Sequence, residues 1–195
     1  DWGQQSRTLH PDGTVDVIEA DPLALTETTW VEDAAGGSSA KTKAYGTVFG
    51  KPEKIEYLDA AGKLIATESF VYDGIGRCVE STDRRGYKTL YAFDAFDRVI
   101  STTLPDGAVV DTNYAAHSGD ELPVEIGLAH ASVDGRLLLG KQTFDGLSRR
   151  RTYEVGGRTV TFDYDPGKLQ PASMTTPLDE VVTYTYEPKL GMQLT

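Results

Sequence analysis

The sequence contains a single cysteine, Cys78, among its 195 residues. One thiol cannot form a disulfide within the chain, so cross-linking contributes nothing to the stability of an isolated copy. No histidine lies near Cys78 in the sequence to activate the thiol. We therefore interpret Cys78 as a small buried hydrophobic residue and not as a nucleophile.

Basic charge and long apolar runs are also scarce. The chain carries 19 lysines and arginines against 30 aspartates and glutamates, which gives a formal net charge of −11. Nucleic acids and anionic membranes both require a basic surface, so this balance argues against either partner. No apolar stretch approaches the ~20 residues that cross a bilayer as a helix. The sequence predicts no nucleic-acid partner and no membrane span.

Signatures of catalysis and metal binding are missing. There is no GxSxG, HExxH, P-loop or paired CxxC motif. Two short acidic pairs, Asp94 with Asp97 and Asp163 with Asp165, lack the longer acidic series and distal glutamate of a calcium loop. No metal-ligand spacing links the three histidines, which lie in or beside turn-like or degenerate segments: His10, His117 and His130. We predict no catalytic, cofactor-binding or metal-binding residue, and an enzyme is the least supported class.

The chain does contain a recurrent string. It begins with tyrosine or phenylalanine and aspartate, continues with glycine or a residue that can replace glycine in a turn, and ends with a basic residue. The clear copies are YDGIGR from Tyr72, FDAFDR from Phe93, FDGLSR from Phe144 and YDPGK from Tyr164. Weaker relatives are LDAAGK from Leu58 and YEPKLG from Tyr186. The step from Asp73 to Asp94 is 21 residues, from Asp145 to Asp165 it is 20, and from Asp165 to Glu187 it is 22. A fixed period near this length indicates that each repeat is one supersecondary unit.

The chemistry of the string predicts a hairpin turn. Aspartate caps backbone amides at the first turn position, and glycine is favoured three residues later, as in Asp59 with Gly62 and Asp73 with Gly76. Asp97 and Ser148 occupy the glycine position in two other copies, and serine is the poorer fit. Pro166 and Gly167 predict a tighter loop. A second kind of turn falls between these copies: HPDGT from His10, LPDGA from Leu104 and STDRRG from Ser81.

The basic residue after each turn is expected to pair with the turn aspartate. In an exposed turn such a pair contributes only ~0–1 kcal/mol to stability. We therefore expect the pair to be present without being what holds the hairpin together. The five basic residues are Lys63, Arg77, Arg98, Arg149 and Lys168.

The segments beside the turns alternate with a period of two. Val160, Phe162 and Tyr164 alternate with Thr161 and Asp163, which is typical of a strand with one apolar, aromatic face. We expect the rings of neighbouring strands to form cross-strand columns. The best helix candidate, residues 23–33, is rich in threonine and contains tryptophan and valine. The predicted fold class is therefore all-β, with repeated antiparallel hairpins forming a long twisted strip.

We predict one repeat region over residues 1–195. Its clearest repeats cover 54–112 and 141–187, a flexible loop is expected at 34–44, and a degenerate repeat at 113–140. Repeats run off both ends, and the chain begins at Asp1 without methionine or a leader, so we expect a fragment of a longer protein.

Residues 70–110, with the sequence FVYDGIGRCVESTDRRGYKTLYAFDAFDRVISTTLPDGAVV, resemble the YD repeats of the RHS family. That family includes bacterial Rhs proteins, the B and C components of insecticidal Tc toxin complexes, and the animal teneurins. The resemblance implies a β strip that spirals into a hollow shell around a C-terminal toxin. It further implies secretion from a bacterium, and it implies the remaining shell and the toxin as partners.

The resemblance does not extend to the aspartyl self-cleavage region of the family. Asp165, Pro166 and Gly167 resemble its signature, but they lie inside an ordinary repeat and lack the usual lead-in. No protease role is therefore assigned to Asp165. The alternative to a shell segment is a carbohydrate-binding or adhesion module, in which Trp2, Trp30 or the ten tyrosines stack on sugars.

Overall fold

The computed structural model describes residues 4–187 and 193–194, and strands and turns account for the regular structure there. Contacts divide the chain into two compact units, Asp1–Tyr91 and Ala92–Thr195. The boundary falls inside a strand. Each unit is an open antiparallel sheet, which confirms the predicted all-β class of repeated hairpins.

In the first unit each strand pairs antiparallel with the next strand in the chain. The strands are β1 (Gln4–Leu9), β2 (Val15–Asp21), β3 (Thr26–Glu32), β4 (Lys41–Gly46), β5 (Pro52–Leu58), β6 (Leu64–Tyr72), β7 (Cys78–Thr82) and β8 (Lys88–Phe93).

The second unit follows the same rule from β9 to β16. Its strands are β9 (Val99–Thr103), β10 (Val109–Tyr114), β11 (Pro123–Ala129), β12 (Arg136–Phe144), β13 (Arg150–Val155), β14 (Arg158–Asp163), β15 (Ser173–Thr175) and β16 (Val181–Thr183). A separate short pair joins β17 (Tyr186–Glu187) to β18 (Gln193–Leu194).

The turns close on left-handed residues at the predicted positions. In the copy at Asp73, the Gly76 N–H donates to the Asp73 carbonyl at 3.0 Å, and Gly76 has a φ of +85°. Ser148 adopts the same conformation with a φ of +59°. It does so although serine is a poor fit, because the Asp145 carboxylate accepts the N–H groups of Leu147 and Arg149 and fixes the turn.

The second unit has two dissimilar faces. Cross-strand pairing places Ile126 opposite Gly140, Gln142 opposite Tyr153, and Tyr153 opposite Val160. Because side chains alternate along each strand, these residues share one side of the sheet. We call this side the aromatic face; it comprises Ile126, Gly140, Gln142, Tyr153, Val160 and Phe162. The opposite side carries threonines and ion pairs such as Lys141 with Glu154.

Little of either unit is enclosed. Among the described residues, four hydrophobic side chains are buried, and they are scattered along the chain: Val17, Ala108, Ala115 and Val160. Large apolar side chains remain exposed on strands and turns. A single sheet layer has no second layer to cover it, so most strand residues are only half-buried.

Three sequence expectations need correction. The segment 34–44 is not wholly a loop: a tight turn at 33–37 is closed by Asp33, and residues 41–44 already lie in β4, where Lys41 pairs with Leu58. The helix candidate at 23–33 is a turn followed by β3, as its threonines favour. Cys78 begins β7 and is half-buried, with its thiol donating to the Glu80 carbonyl.

The expected aromatic columns are also wrong. Within the part of the chain that the structure describes, two ring pairs occur, Tyr153 with Phe162 at 6.0 Å and Tyr184 with Tyr186 at 6.4 Å between centroids. The repeat tyrosines instead contact basic side chains and backbone carbonyls. Bulges beside the turns shift the register there, as between Val71 and Tyr72, so the rings do not stack in line.

The left-handed turn position gives a direct test. We expect Gly76→Ala to lower the free energy of unfolding by about 1–2 kcal/mol, because a Cβ atom resists positive φ. The matched control is Gly74→Ala in the same turn, where an added Cβ meets nothing within 4 Å and φ is not positive. Urea denaturation of both variants provides the measurement, and equal stabilities would refute the turn assignment.

Candidate functional site

The candidate site is the row of turns along one edge of each sheet. In a strip of antiparallel strands, successive turns alternate between the two edges, so every second turn lies on the same edge. In the second unit one edge carries the turns at 94–97, 115–122, 145–148 and 164–171. In the first unit the corresponding edge carries 21–25, 47–50 and 73–76. We call this the YD edge, because most copies of the string lie there.

Three of the four clear copies contain an aspartate–arginine pair within the turn. Asp73 Oδ1 accepts the N–H groups of Ile75 and Arg77, and its Oδ2 accepts Nε of Arg77 at 2.7 Å. Asp94 with Arg98 and Asp145 with Arg149 repeat this arrangement at 2.8 and 2.7 Å. The predicted pairing is confirmed for the arginines. The side chains of Lys63 and Lys168 form no ion pair with any described residue.

The arginine also reaches the next turn on the YD edge. Arg98 Nη1 donates to the carbonyls of Ser118 and Asp120 at 2.9 and 3.0 Å. Its guanidinium lies 4.4 Å from the centroid of the Tyr114 ring. Arg98 is 8% exposed, so it is a buried cation with partners on two successive turns. The expectation of an exposed ion pair that matters little to the hairpin is wrong for Arg98.

The same contact recurs in both units. Arg149 Nη1 donates to the carbonyl of Lys168, and its guanidinium lies 4.5 Å from the Tyr164 ring. Lys51 donates to the carbonyl of Gly76 at 2.6 Å and lies 5.6 Å from the Tyr72 ring. We call this contact a latch: a basic side chain leaves one turn of the YD edge, contacts the aromatic ring of the next hairpin and binds that hairpin's turn carbonyl.

Lys51 belongs to a copy that the sequence reasoning missed. The string YGTVFGK from Tyr45 has Thr47 in the place of the turn aspartate. The Thr47 hydroxyl accepts the N–H groups of Phe49 and Lys51, both at 3.3 Å, and replaces the carboxylate. The glycine and lysine at the end of the string were the signal that could have identified this copy.

The repeat tyrosine has its own partner. The hydroxyl of Tyr72 donates to the Pro52 carbonyl at 2.8 Å, and that of Tyr114 donates to Val99 at 2.9 Å. Each acceptor directly follows a latch residue, so the tyrosine links the same two hairpins as the latch. Tyr164 makes the equivalent bond to Arg150, which follows Arg149. Tyr186 also donates to a carbonyl of the preceding hairpin connection, that of Pro171.

One copy has phenylalanine and a substitute donor. Phe144 cannot donate to Pro123, which begins the strand after the turn at 115–122. Gln142 lies two residues earlier on the same face, and its amide Nε2 donates to the Pro123 carbonyl at 2.6 Å. The hydrogen bond between the hairpins is therefore kept although the hydroxyl is absent.

The latch geometry shifts the pKa values of its members. Hydrogen bonds from the backbone and side chain of Arg77 hold the pKa of Asp73 below its ordinary value. The side chain of Arg149 does the same for Asp145. For Asp94, partial burial opposes ionisation, but the hydrogen bonds from Arg98 outweigh it and the pKa is lowered. Burial raises the pKa of Tyr114, which keeps its hydroxyl protonated as a donor.

The other residues singled out from the sequence lie apart from one another. His10 contacts Asp16 at 2.8 Å, His130 contacts Ser132 and the Asp106 carbonyl, and His117 lies in the turn at 115–122. Over residues 4–187 and 193–194, no three His, Cys, Asp or Glu side chains are placed to hold a metal ion. No described helix is long and apolar enough to cross a membrane.

The proposed sugar-stacking residues and Asp165 are also placed. Trp30 is half-buried, donates to Glu32 at 3.1 Å and has the Lys41 ammonium 4.5 Å from its ring. Trp2 lies outside the described residues. The carbonyl of Asp165 accepts the Lys168 N–H within an ordinary turn.

Comparison with known families identifies the repeat. The family model for the RHS Repeat matches residues 72–109, which include two aspartate–arginine turns and the turn between them. This match confirms the resemblance read from the sequence. No curated protein matches the chain.

Solved structures of Tc toxins are similar to this chain at low identity. The crystal structure of TcdB2-TccC3 without its hypervariable C-terminal region has 13% identity and a TM-score of 0.44, covering 88% of this chain and 11% of that one. The TcdB2-TccC3-Cdc42 structure has 13% identity and a TM-score of 0.49, covering 94% and 11%. A Tc holotoxin pore from Photorhabdus luminescens has 13% identity and a TM-score of 0.42, covering 97% and 14%. The chain thus spans a small part of each.

The latch predicts an uneven response to removal of the turn cations. We expect Arg98→Ala to lower the free energy of unfolding by roughly 3 kcal/mol, because it removes the ion pair of a half-buried carboxylate and the hydrogen bonds to two carbonyls. Lys63→Ala, the control on the opposite edge of the first unit, should change stability by less than about 0.5 kcal/mol. Chemical denaturation measures both, and similar losses would refute a special role for the latch.

The lowered carboxyl pKa values predict loss of stability in acid. The folded protein binds fewer protons at these aspartates than the unfolded chain does, so their contribution is complete above about pH 4, the ordinary aspartate pKa. It disappears as the pH falls through the lowered folded-state values. Urea denaturation from pH 7 to pH 3 should show this loss, and Asp145→Asn should flatten the profile more than Asp134→Asn. A stability that does not fall towards pH 3 would contradict the assignment.

Proposed function

We propose that this chain, which carries an RHS repeat, is a non-catalytic wall segment of an RHS-type shell. In this proposal the shell encloses a C-terminal toxin and helps to deliver it. The observation that carries the proposal is the row of latches on the YD edge. Each latch joins two successive hairpins of one unit, so these contacts lie along the edge of the sheet and do not converge on a pocket.

The exposed faces support a wall more than a self-contained domain. Each unit is a sheet with few buried side chains and many exposed apolar ones, including Ile65 at 65% and Val181 at 65%. Such surfaces in a protein indicate contact with further structure. A shell supplies that structure, because its strips are covered by neighbouring chain segments and by the enclosed contents.

The carboxylates that stand out in the sequence already have a structural task. Asp73, Asp94 and Asp145 cap their turns and hold the latch arginines. We therefore assign no catalytic role to the chain. Its proposed partners are the rest of the parent shell and the enclosed toxin, and its proposed location is outside a bacterial cell.

Carbohydrate binding stays a hypothesis without a favouring observation. The Trp30 ring is half-buried, and the Lys41 ammonium lies over it. The repeat tyrosines bind backbone carbonyls. Tyr87, at 55% exposed, is the described tyrosine that offers most free ring surface.

The test uses the full-length gene product to which this segment belongs. If the segment is a wall, the part of that protein beyond the repeats should resist protease under native conditions. The double variant Arg98→Ala/Arg149→Ala loosens two latches and should speed cleavage of that part by about tenfold or more, since local opening exposes it. Lys63→Ala serves as the control. Cleavage in the wild type as fast as in the isolated C-terminal part would reject encapsulation.

A further inference from the structure

Two neighbouring cavities open on the aromatic face of the second unit. The first has a volume of about 230 Å³ and lies over β11, β12 and β13; it is lined by Ile126, Gly140, Gln142, Arg150, Tyr153 and Val155, among others. The second has a volume of about 430 Å³ and lies towards the YD edge; its lining includes Leu122, Gln142, Phe144, Arg150, Phe162 and Tyr164. Both are bordered by Gln142 and Arg150, so the two cavities meet at these residues.

Gly140 forms part of the lining of the first cavity. It pairs with Ile126, and a Cβ atom built on Gly140 would lie 3.2 Å from the Glu154 carbonyl oxygen and 3.6 Å from Val155. Glycine therefore allows β13 to lie close at this point, and no side chain from position 140 covers the cavity. Ile126, Tyr153 and Val155 give the cavity an apolar wall, which suits an apolar side chain from a ligand.

Arg150 is the cation between the two cavities. Its guanidinium lies 5.1 Å from the Tyr153 ring centroid and 5.3 Å from that of Phe162. These cation–π contacts hold the guanidinium against the two rings. Arg150 is exposed and forms no ion pair with any residue from 4 to 187. Four other arginines of this unit do pair with carboxylates: Arg98, Arg136, Arg149 and Arg151.

The acidic side chains around the cavities do not supply the missing partner. Glu125 pairs with Arg136 and Glu154 with Lys141, and both pairs belong to the opposite face. Glu121 lines the second cavity without an ion pair to Arg150. An arginine on an aromatic surface is preorganised for a carboxylate, which its planar fork binds with two parallel hydrogen bonds.

We propose that this surface docks an extended peptide segment in which an acidic side chain lies between two apolar ones. The anion must be central because the cation lies between the cavities. In an extended peptide, alternate side chains project on the same side about 7 Å apart. Of three alternate residues, the first can therefore enter one cavity, the second can bind Arg150, and the third can enter the other cavity. A fatty acid has its carboxylate at one end, so when that carboxylate binds Arg150 its chain can fill only one of the two cavities.

The proposed function supplies the source of the peptide, and the inference rests on it in that respect. An enclosed toxin chain would present such segments to the inner face of a wall. The docking surface itself is defined by Arg150 and the two cavities alone, so it can be tested without the parent protein.

The experiment is an NMR titration of the 195-residue chain with three blocked pentapeptides. The first is Leu-Ser-Glu-Ser-Leu, the second replaces its glutamate by glutamine, and the third, Glu-Ser-Leu-Ser-Leu, moves the acid to one end. We expect the first peptide to bind about fivefold more tightly than either control, which corresponds to about 1 kcal/mol. The shifts of backbone amides should centre on Gln142, Arg150 and Tyr153.

Two variants test the role of the cation. Arg150→Gln should remove the preference for the central glutamate, whereas Arg151→Gln, whose wild-type side chain pairs with Asp163, should retain it. The proposal is overturned by equal affinities for the three peptides, by a preference that survives in Arg150→Gln, or by no binding of any peptide. None of these results affects the wall role, which the protease experiment tests independently.

Discussion

The structure depends most on the ion pair between a turn aspartate and the arginine four residues later. The aspartate fixes the turn by accepting two backbone N–H groups, and the same carboxylate orients the guanidinium through Nε. Nη2 of Arg98 also binds this carboxylate, and Nη1 then binds the next turn. A lysine makes only part of this arrangement: Lys51 binds the next turn, but one ammonium group lacks the planar fork that also pairs with an aspartate in its own turn.

The aromatic position of the repeat follows from the same constraint. Its ring lies under the guanidinium of the preceding hairpin, and its hydroxyl reaches the carbonyl beside that arginine. Tyrosine provides both contacts, which explains why it recurs where packing alone would accept phenylalanine. The copy with Phe144 keeps the second contact through Gln142. At these positions the hydrogen bond between hairpins is present whether tyrosine or glutamine makes it.

A strip joined in this way gains little from a hydrophobic core. Neighbouring strands bind each other through the backbone ladder, latches and tyrosine hydroxyls join several successive hairpins, and both faces of the sheet stay largely open. Open faces and free edges favour association with other chain segments. This is the physical basis for assigning the chain to a wall and for seeking a ligand on its aromatic face.

The all-β class, the hairpin turns and the pairing of aspartate with arginine could be predicted from the sequence, because turn chemistry and period-two alternation are local properties. The sequence also located the repeat that the RHS family model matches. Three expectations from the sequence were wrong: that residues 34–44 form a loop throughout, that the aromatic rings form columns, and that the Arg98 side chain is exposed. These features, the latches and the cavities beside Arg150 are visible only in the folded sheet. They join residues about 20 positions apart, and burial and partner choice at that distance depend on which hairpins lie side by side and on the bulges between them.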